Sequence, residues 1–149
     1  MTHAHRLGDR VVWLSGRVAS HAQRLVHERL ATGEVRKQHY GVLASLADAG
    51  PAAQAVLADR IGIDRSDMVS LLDELEALEL VSRRPDPADR RRNIVELTAA
   101  GVAGLAWMDE QIATADQELL APLSAADRAT LVRLLGQLLP ASGRPLTRL

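Results

Sequence analysis

The chain contains no cysteine. That excludes disulfides, thiolate metal sites, thiol nucleophiles and thiol-based redox sensing together. Phenylalanine is also absent and aromatics make up only 2% of the residues: Trp13, Tyr40 and Trp107. The core must therefore be built from leucine, valine, isoleucine and alanine. Lys37 is the only lysine, so arginine carries nearly all the positive charge, and it suits bidentate and groove-inserted contacts better than lysine does. The net charge is −1, so any electrostatic signal for nucleic acid has to be local. No apolar run approaches the ~18 residues of a membrane span, and the N-terminal residues lack the apolar core of a signal peptide. The expectation is a cytoplasmic protein with no membrane partner.

What is present is a globular composition, 47% hydrophobic and 25% charged over 149 residues. A chain of this length forms one domain and buries roughly 68–70% of the surface its unfolded form exposes. Enzyme chemistry finds no foothold: there is no nucleophile motif, no glycine-rich phosphate loop and no convincing set of metal ligands. His3 and His5 form an H-x-H pair near the N-terminus, too isolated a feature to define a zinc site. No cofactor and no metal are expected.

Four apolar stripes recur at helical spacing. From about His5 to Leu30 the stripe is Val11, Val12, Leu14, Val18, Ala22, Leu25, Val26 and Leu30, ended by Thr32-Gly33. From Arg36 to Asp48 it is Tyr40, Val42, Leu43 and Leu46. Ala49-Gly50-Pro51 stops that helix, with glycine suited to a left-handed cap. After Thr98, which fits an N-cap, come Val102, Leu105, Met108, Ile112, Leu119 and Leu120. Ser124 with Asp127 opens the last helix, which carries Leu131, Val132, Leu134, Leu135, Leu138 and Leu139 and ends at Pro140. The first helix and the last two are more apolar than exposed helices of a monomer need to be. They read as an intersubunit bundle, against packing within one chain alone.

Between these helices lies the stretch that carries the chemistry, Ile63 to Gly101. A short helix from about Ala53 to Arg60 precedes it, and Gly62 provides a tight turn. Asp64 sits where an N-cap belongs, Asp67 at N3, and a second helix follows to about Leu78. Two helices joined by a glycine turn form a helix-turn-helix. Met68, Leu71, Leu72 and Leu75 form the buried stripe of the second helix. Arg65, Ser66, Asp67, Val69, Ser70 and Glu74 lie on its other side, either as plain solvated surface or as a recognition face. Leu80–Arg84 and Asn93–Leu97 read as strands. The loop between them is P-D-P-A-D-R-R-R, with Arg90, Arg91 and Arg92 projecting from the hairpin. Arg83 to Arg92 holds five arginines, Arg84 among them, against two aspartates. Such a run guards an edge strand in many proteins. Directly after a helix-turn-helix it reads as a clamp on phosphate and minor groove.

The segments H-Y-G-V-L-A-S-L-A-D-A-G-P, from His39, and V-L-A-D-R-I-G-I-D-R-S-D-M-V-S-L-L-D-E-L-E-A-L-E-L-V-S-R-R-P-D-P-A-D-R-R-R-N-I-V-E-L-T-A-A-G, from Val56, resemble the MarR family of bacterial transcription regulators. The cover runs from about Val35 to Gly101. The specific motif is Asp-x-Arg followed six residues on by Leu-Thr, here Asp89-Arg90-Arg91 and Leu97-Thr98. The resemblance implies a mainly α (α+β) fold: a winged helix-turn-helix with N- and C-terminal helices forming a dimerisation base. It divides the chain into helical dimerisation regions, 1–34 and 101–149, and a DNA-binding lobe, 35–100. The implied function is a homodimeric regulator, a repressor in most such cases, that binds a pseudo-palindrome in double-stranded DNA. Half-site centres would lie about 10 base pairs apart. By the same resemblance Asp89 orients Arg91, the minor-groove arginine. Arg90 contacts phosphate, Arg65 and Ser66 begin the recognition helix, and Gln54 holds a phosphate at the start of the supporting helix. Ser70 and Glu74 stand where relatives often carry a base. Base reading then falls on Arg65, Ser66 and Asp67, the last able to accept from a cytosine amine, and the wing supplies most of the electrostatic grip.

Relatives place a ligand cleft between the dimer base and the DNA-binding lobe. Trp13, Tyr40 and Trp107 with His21 and His39 are the candidate lining, suited to a small aromatic or anionic effector. Residues of these types serve more often as ordinary core or surface residues than as ligand contacts. Two other functions stay open: a constitutive or architectural DNA binder, and a winged helix that binds protein, both without an effector.

Overall fold

The structure is a computed structural model that describes residues 7–139. The His3 and His5 pair and the stop at Pro140 lie outside the described residues. The first helix, α1 (Val11–Leu30), begins later than the periodicity suggests and carries His27 and Arg29 in its last turn, where cations suit the helix dipole. A single 3-10 turn, Ala31–Gly33, follows, and Glu34 then takes the left-handed conformation with φ 59°. For a residue with a Cβ this costs about 1 kcal/mol, so the turn is held by its surroundings. α2 (Lys37–Ala49) ends at Gly50, whose φ of 76° and ψ of −177° lie outside the left-handed cap expected there, in a region that only glycine visits readily.

The next elements form the helix-turn-helix. α3 (Gln54–Ile61) closes on Gly62 in the left-handed conformation, and α4 (Arg65–Ala77) starts from Asp64 in an extended N-cap geometry. Met68, Leu71, Leu72 and Leu75 are all buried, and Arg65, Ser66, Asp67, Ser70 and Glu74 are all exposed, as the 3.6-residue period requires. β2 (Val81–Pro85) and β3 (Asn93–Leu97) pair antiparallel, with Val81 opposite Leu97 and Pro85 opposite Asn93. The other edge of β3 is covered by a two-residue strand, β1 (Ala52–Ala53), giving the order β1-β3-β2. That strand was not expected. It brings the start of α3 alongside β3 on the side of the wing loop, since Ala53 lies opposite Ile94.

α5 (Ala99–Leu119) is capped by Thr98, whose Oγ1 accepts from the Gly101 amide at 2.9 Å and donates to the Glu79 carbonyl at 2.6 Å. α6 (Ala125–Leu138) is capped by Ser124, which accepts from the Asp127 amide at 3.1 Å. The core centres on Leu43, Leu57, Leu72, Leu75, Val95 and Met108, all from the middle of the chain and α5. α1 packs on α5, and Arg29 reaches Glu118 at 3.1 Å between them.

The terminal stripes behave differently. Of the apolar face of α1 only Leu25 and Leu30 are buried, while Val12 is 88% exposed. α6 buries no residue, and Leu138 is 71% exposed. Covering one such side chain is worth about 1.5–3 kcal/mol. No helix among the described residues is long and apolar enough to cross a membrane.

Candidate nucleic-acid interface

The first turn of α4 presents Arg65, Ser66 and Asp67 to solvent, with Ser70 one turn further along the same exposed side. Gln54 is the first residue of α3, half-buried, next to the β1 pairing on β3. It thus stands between the supporting helix and the wing.

The wing loop is more ordered than a run of charges suggests. Asp86 is only 8% exposed; its side chain accepts from the Ala88 amide at 2.9 Å and from Arg92 Nη2 at 3.1 Å. The Asp86 amide donates to the Arg92 carbonyl at 2.8 Å, closing the loop. Asp89 Oδ1 accepts from both the amide and Nε of Arg91, at 3.1 and 3.2 Å. The aspartate therefore grips Arg91 by its backbone and the root of its guanidinium, while the side chain stays 91% exposed. Arg90 makes no ion pair among the described residues and is also exposed.

The five arginines do not act alike, which corrects the expectation of a projecting triplet. Arg92 folds back onto Asp86. Arg83 is bound to α4, donating to Asp73 at 2.6 Å and to Glu76 through Nε at 2.8 Å and through Nη2. Arg84 lies 3.6 Å from Glu96 on the paired strand. Arg90 and Arg91 alone reach outward at the tip. Asp86, Asp73 and Glu76 are the carboxylates that draw Arg92 and Arg83 back. The P-D-P spacing around Asp86 was a usable turn signal, but the pairing of α4 with β2 had none.

Glu74 also differs from its expected place. Its carboxylate faces the start of α2 rather than open groove: Arg36 Nη2 donates to Oε1 at 2.7 Å and Oε2 at 2.6 Å, and His39 Nε2 lies 2.8 Å from Oε2. The Arg36 amide donates to His39 Nδ1 at 3.2 Å. That contact makes Nδ1 the acceptor and puts the ring proton on Nε2, which donates to Glu74. Burial holds the His39 pKa below its ordinary value, and the Glu74 hydrogen bond works against that shift. The hydrogen bond from Arg36 holds the Glu74 carboxyl below the usual range.

The candidate effector residues fall into separate groups within one chain. Trp13 and His21 line an open trough along α1 with Arg17 and Arg24, and Arg24 Nη2 lies 2.9 Å from His21 Nδ1. Tyr40 and Trp107 pack against the core instead. The Tyr40 hydroxyl donates to Asp109 at 2.9 Å, and burial, then that bond, push its pKa up. His39 has both ring nitrogens engaged.

A helix, a glycine turn, a second helix and an antiparallel basic hairpin on one core define a winged helix-turn-helix protein. The model of the MarR family matches residues 34–92. A transcriptional regulatory protein for the hcr operon of Thauera aromatica, itself described as putative, is 37% identical over 99 residues. That match covers 66% of this chain, and this chain spans only 60% of the relative's length. A MarR variant from E. coli in complex with operator DNA superposes with a TM-score of 0.76 at 30% identity, over 85% of this chain and 91% of that one. Bordetella bronchiseptica BpsR, whose structure is described as the mechanism for regulation of its DNA binding by 6-hydroxynicotinic acid, superposes with a TM-score of 0.79 at 25% identity, over 89% and 95%. The chain belongs to the MarR family.

Proposed function

We propose that the protein is a sequence-specific transcription regulator that binds double-stranded DNA as a homodimer and acts as a repressor. The observation that carries this reading is the juxtaposition of an exposed, polar first turn on α4 with a hairpin tip where Arg90 and Arg91 are solvent-exposed. A helix end of that kind fits a major groove, and two outward arginines fit the adjacent backbone and minor groove. Residues 35–100 are the DNA-binding lobe, while 1–34 and 101–149 form the dimer base. The uncovered apolar faces of α1 and α6 support the dimer. In this reading Arg65, Ser66, Asp67 and Ser70 face bases. Gln54, Arg84 and Arg90 face phosphates, and Asp89 steadies Arg91 at the minor groove.

An effector is the second part of the proposal. The likeness to BpsR favours a small aromatic acid, and Trp13 and His21 on α1 with Tyr40 and Trp107 nearer the core are the side chains suited to it. His39 contributes least, since its ring is already committed. The test is selection of duplexes from a randomised pool, followed by footprinting and light scattering. A symmetric footprint with half-site centres about 10 base pairs apart, bound by a dimer, is the expected result. Binding without sequence preference would favour the architectural alternative, and no binding to any duplex would remove the reading. A rise in melting temperature with aromatic acids, absent with aliphatic ones, tests the effector.

A further inference from the structure

The link between α1 and the DNA-binding lobe is short and closely held. Residues 31–36 join α1 to α2 through the 3-10 turn and the left-handed Glu34. The Trp107 ring of α5 covers Gly33 so tightly that a Cβ there would stand 2.6 Å from the indole. Val35 is buried. Arg36 comes next, and its guanidinium closes on both oxygens of Glu74, 38 residues further along the chain. Glu74 sits in the second half of α4, two turns beyond Ser66 and Asp67. His39, only 3% exposed, backs the same carboxylate and receives the Arg36 amide. One continuous chain of contacts thus runs from α5, through the connector, to the far end of α4.

We propose that Arg36, His39 and Glu74 form a clasp that sets the angle of α4 relative to α1 and α5, and so the separation of half-sites the dimer accepts. This rests on the DNA-binding homodimer reading. α4 is a rod of about 20 Å at 1.5 Å per residue. With Met68, Leu71 and Leu72 packed in the core as its pivot, holding the Glu74 end against the connector sets where its Arg65 end points. A half-exposed ion pair alone would add little. The buried imidazole changes this, because it holds the carboxylate in one orientation from a second side, using a ring whose own orientation the Arg36 amide fixes. The three are positioning residues: Glu74 faces the connector and leaves base contact to the first turn.

The lack of cysteine makes a clean experiment possible. Ala77→Cys, at the exposed end of α4, gives one labelling site per chain, and nitroxide distances across the homodimer report the separation of the two helices without DNA. In parallel, the parent protein selects a duplex from a randomised pool, and that duplex is respaced by one base pair either way. The parent should give a narrow distance distribution and reject respaced duplexes. Glu74→Ala should broaden the distribution and reduce spacing discrimination by about fivefold, the lower end of coupling between sites. Arg36→Ala, which cuts back a half-exposed side chain, should do the same and serves if Glu74→Ala misfolds. Because a single nitrogen of Arg36 meets both oxygens, Arg36→Lys should restore both readouts. Unchanged distances and spacing preference in both alanine variants would overturn the clasp, as would a change of preferred base at unchanged spacing. A parent with no intersubunit distance at all would overturn the homodimer reading, and the clasp with it.

Discussion

Gly101 lies against the backbone of Leu80 so closely that a Cβ at that position would stand 1.9 Å from the Leu80 carbonyl oxygen. The obstacle is main chain, immediately before β2, and cannot rotate away as a side chain can. Gly101→Ala is therefore expected to cost about 3 kcal/mol, the upper end of overpacking penalties. Denaturant unfolding measures it, and a loss below about 1 kcal/mol would show that α5 and β2 can part without penalty.

Arg91 and Asp89 give a prediction whose sign opposes simple charge counting. Arg91→Ala should weaken binding to all duplexes alike and lower the salt dependence by about one charge. Asp89→Asn removes a negative charge near DNA yet should also weaken binding, by about fivefold, because it loosens the grip on Arg91. Titrations at several salt concentrations measure both. Tighter binding by Asp89→Asn would mean that the aspartate only repels phosphate.

Substitutions in the first turn of α4 should act on sequence rather than on salt. Arg65→Ala or Ser66→Ala is expected to change which half-site is preferred, by about 1–3 kcal/mol between competing bases. Competition between selected duplexes reads this directly. Equal losses on every sequence would make these residues backbone contacts.

His39 and Glu74 fix a pH dependence. The folded-state pKa of His39 lies below 6.5, so the unfolded chain binds a proton more readily. The stability this histidine contributes is complete above pH 6.5 and is lost as pH falls through its folded pKa. Glu74, lowered from 4.5, adds a second loss further into acid, of the same sign. Urea midpoints should fall as pH drops from 6.5. His39→Gln, which keeps an N–H for Glu74 but cannot gain a proton, should flatten the upper part of that fall. An equal slope in the variant would assign the acid loss to other groups.

The exposed leucines of α6 predict the assembly. Leu135→Glu with Leu138→Glu places two charges on a face that none of the described residues covers. The expected product is a folded monomer by light scattering, with the helix-turn-helix core intact. A dimer of unchanged strength would move the interface elsewhere.

Features set by neighbouring residues could be read directly from the chain. Thr98 and Ser124 cap their helices through atoms three residues away. The α4 stripe follows from helical period alone, and Asp89 meets Arg91 two residues on. Features set by distant partners could not. Ala52-Ala53 has no strand pattern, and β3 recruits it by offering an open edge. Glu74 looks like a polar surface residue until Arg36 and His39 are brought to it. Arg83 and Arg92 look like their neighbours at the tip, yet each is drawn inward by a carboxylate that spacing does not reveal.

The uncovered face of α6 has a consequence for the lifetime of the protein as well as for its assembly. Leu134, Leu135 and Leu138 are left exposed by the described residues, so in the proposed dimer dilution and the uncovering of this helix are one event. Mass action then makes the melting temperature climb with protein concentration. At low abundance the chain spends more time with α6 bare, open to proteases and chaperones.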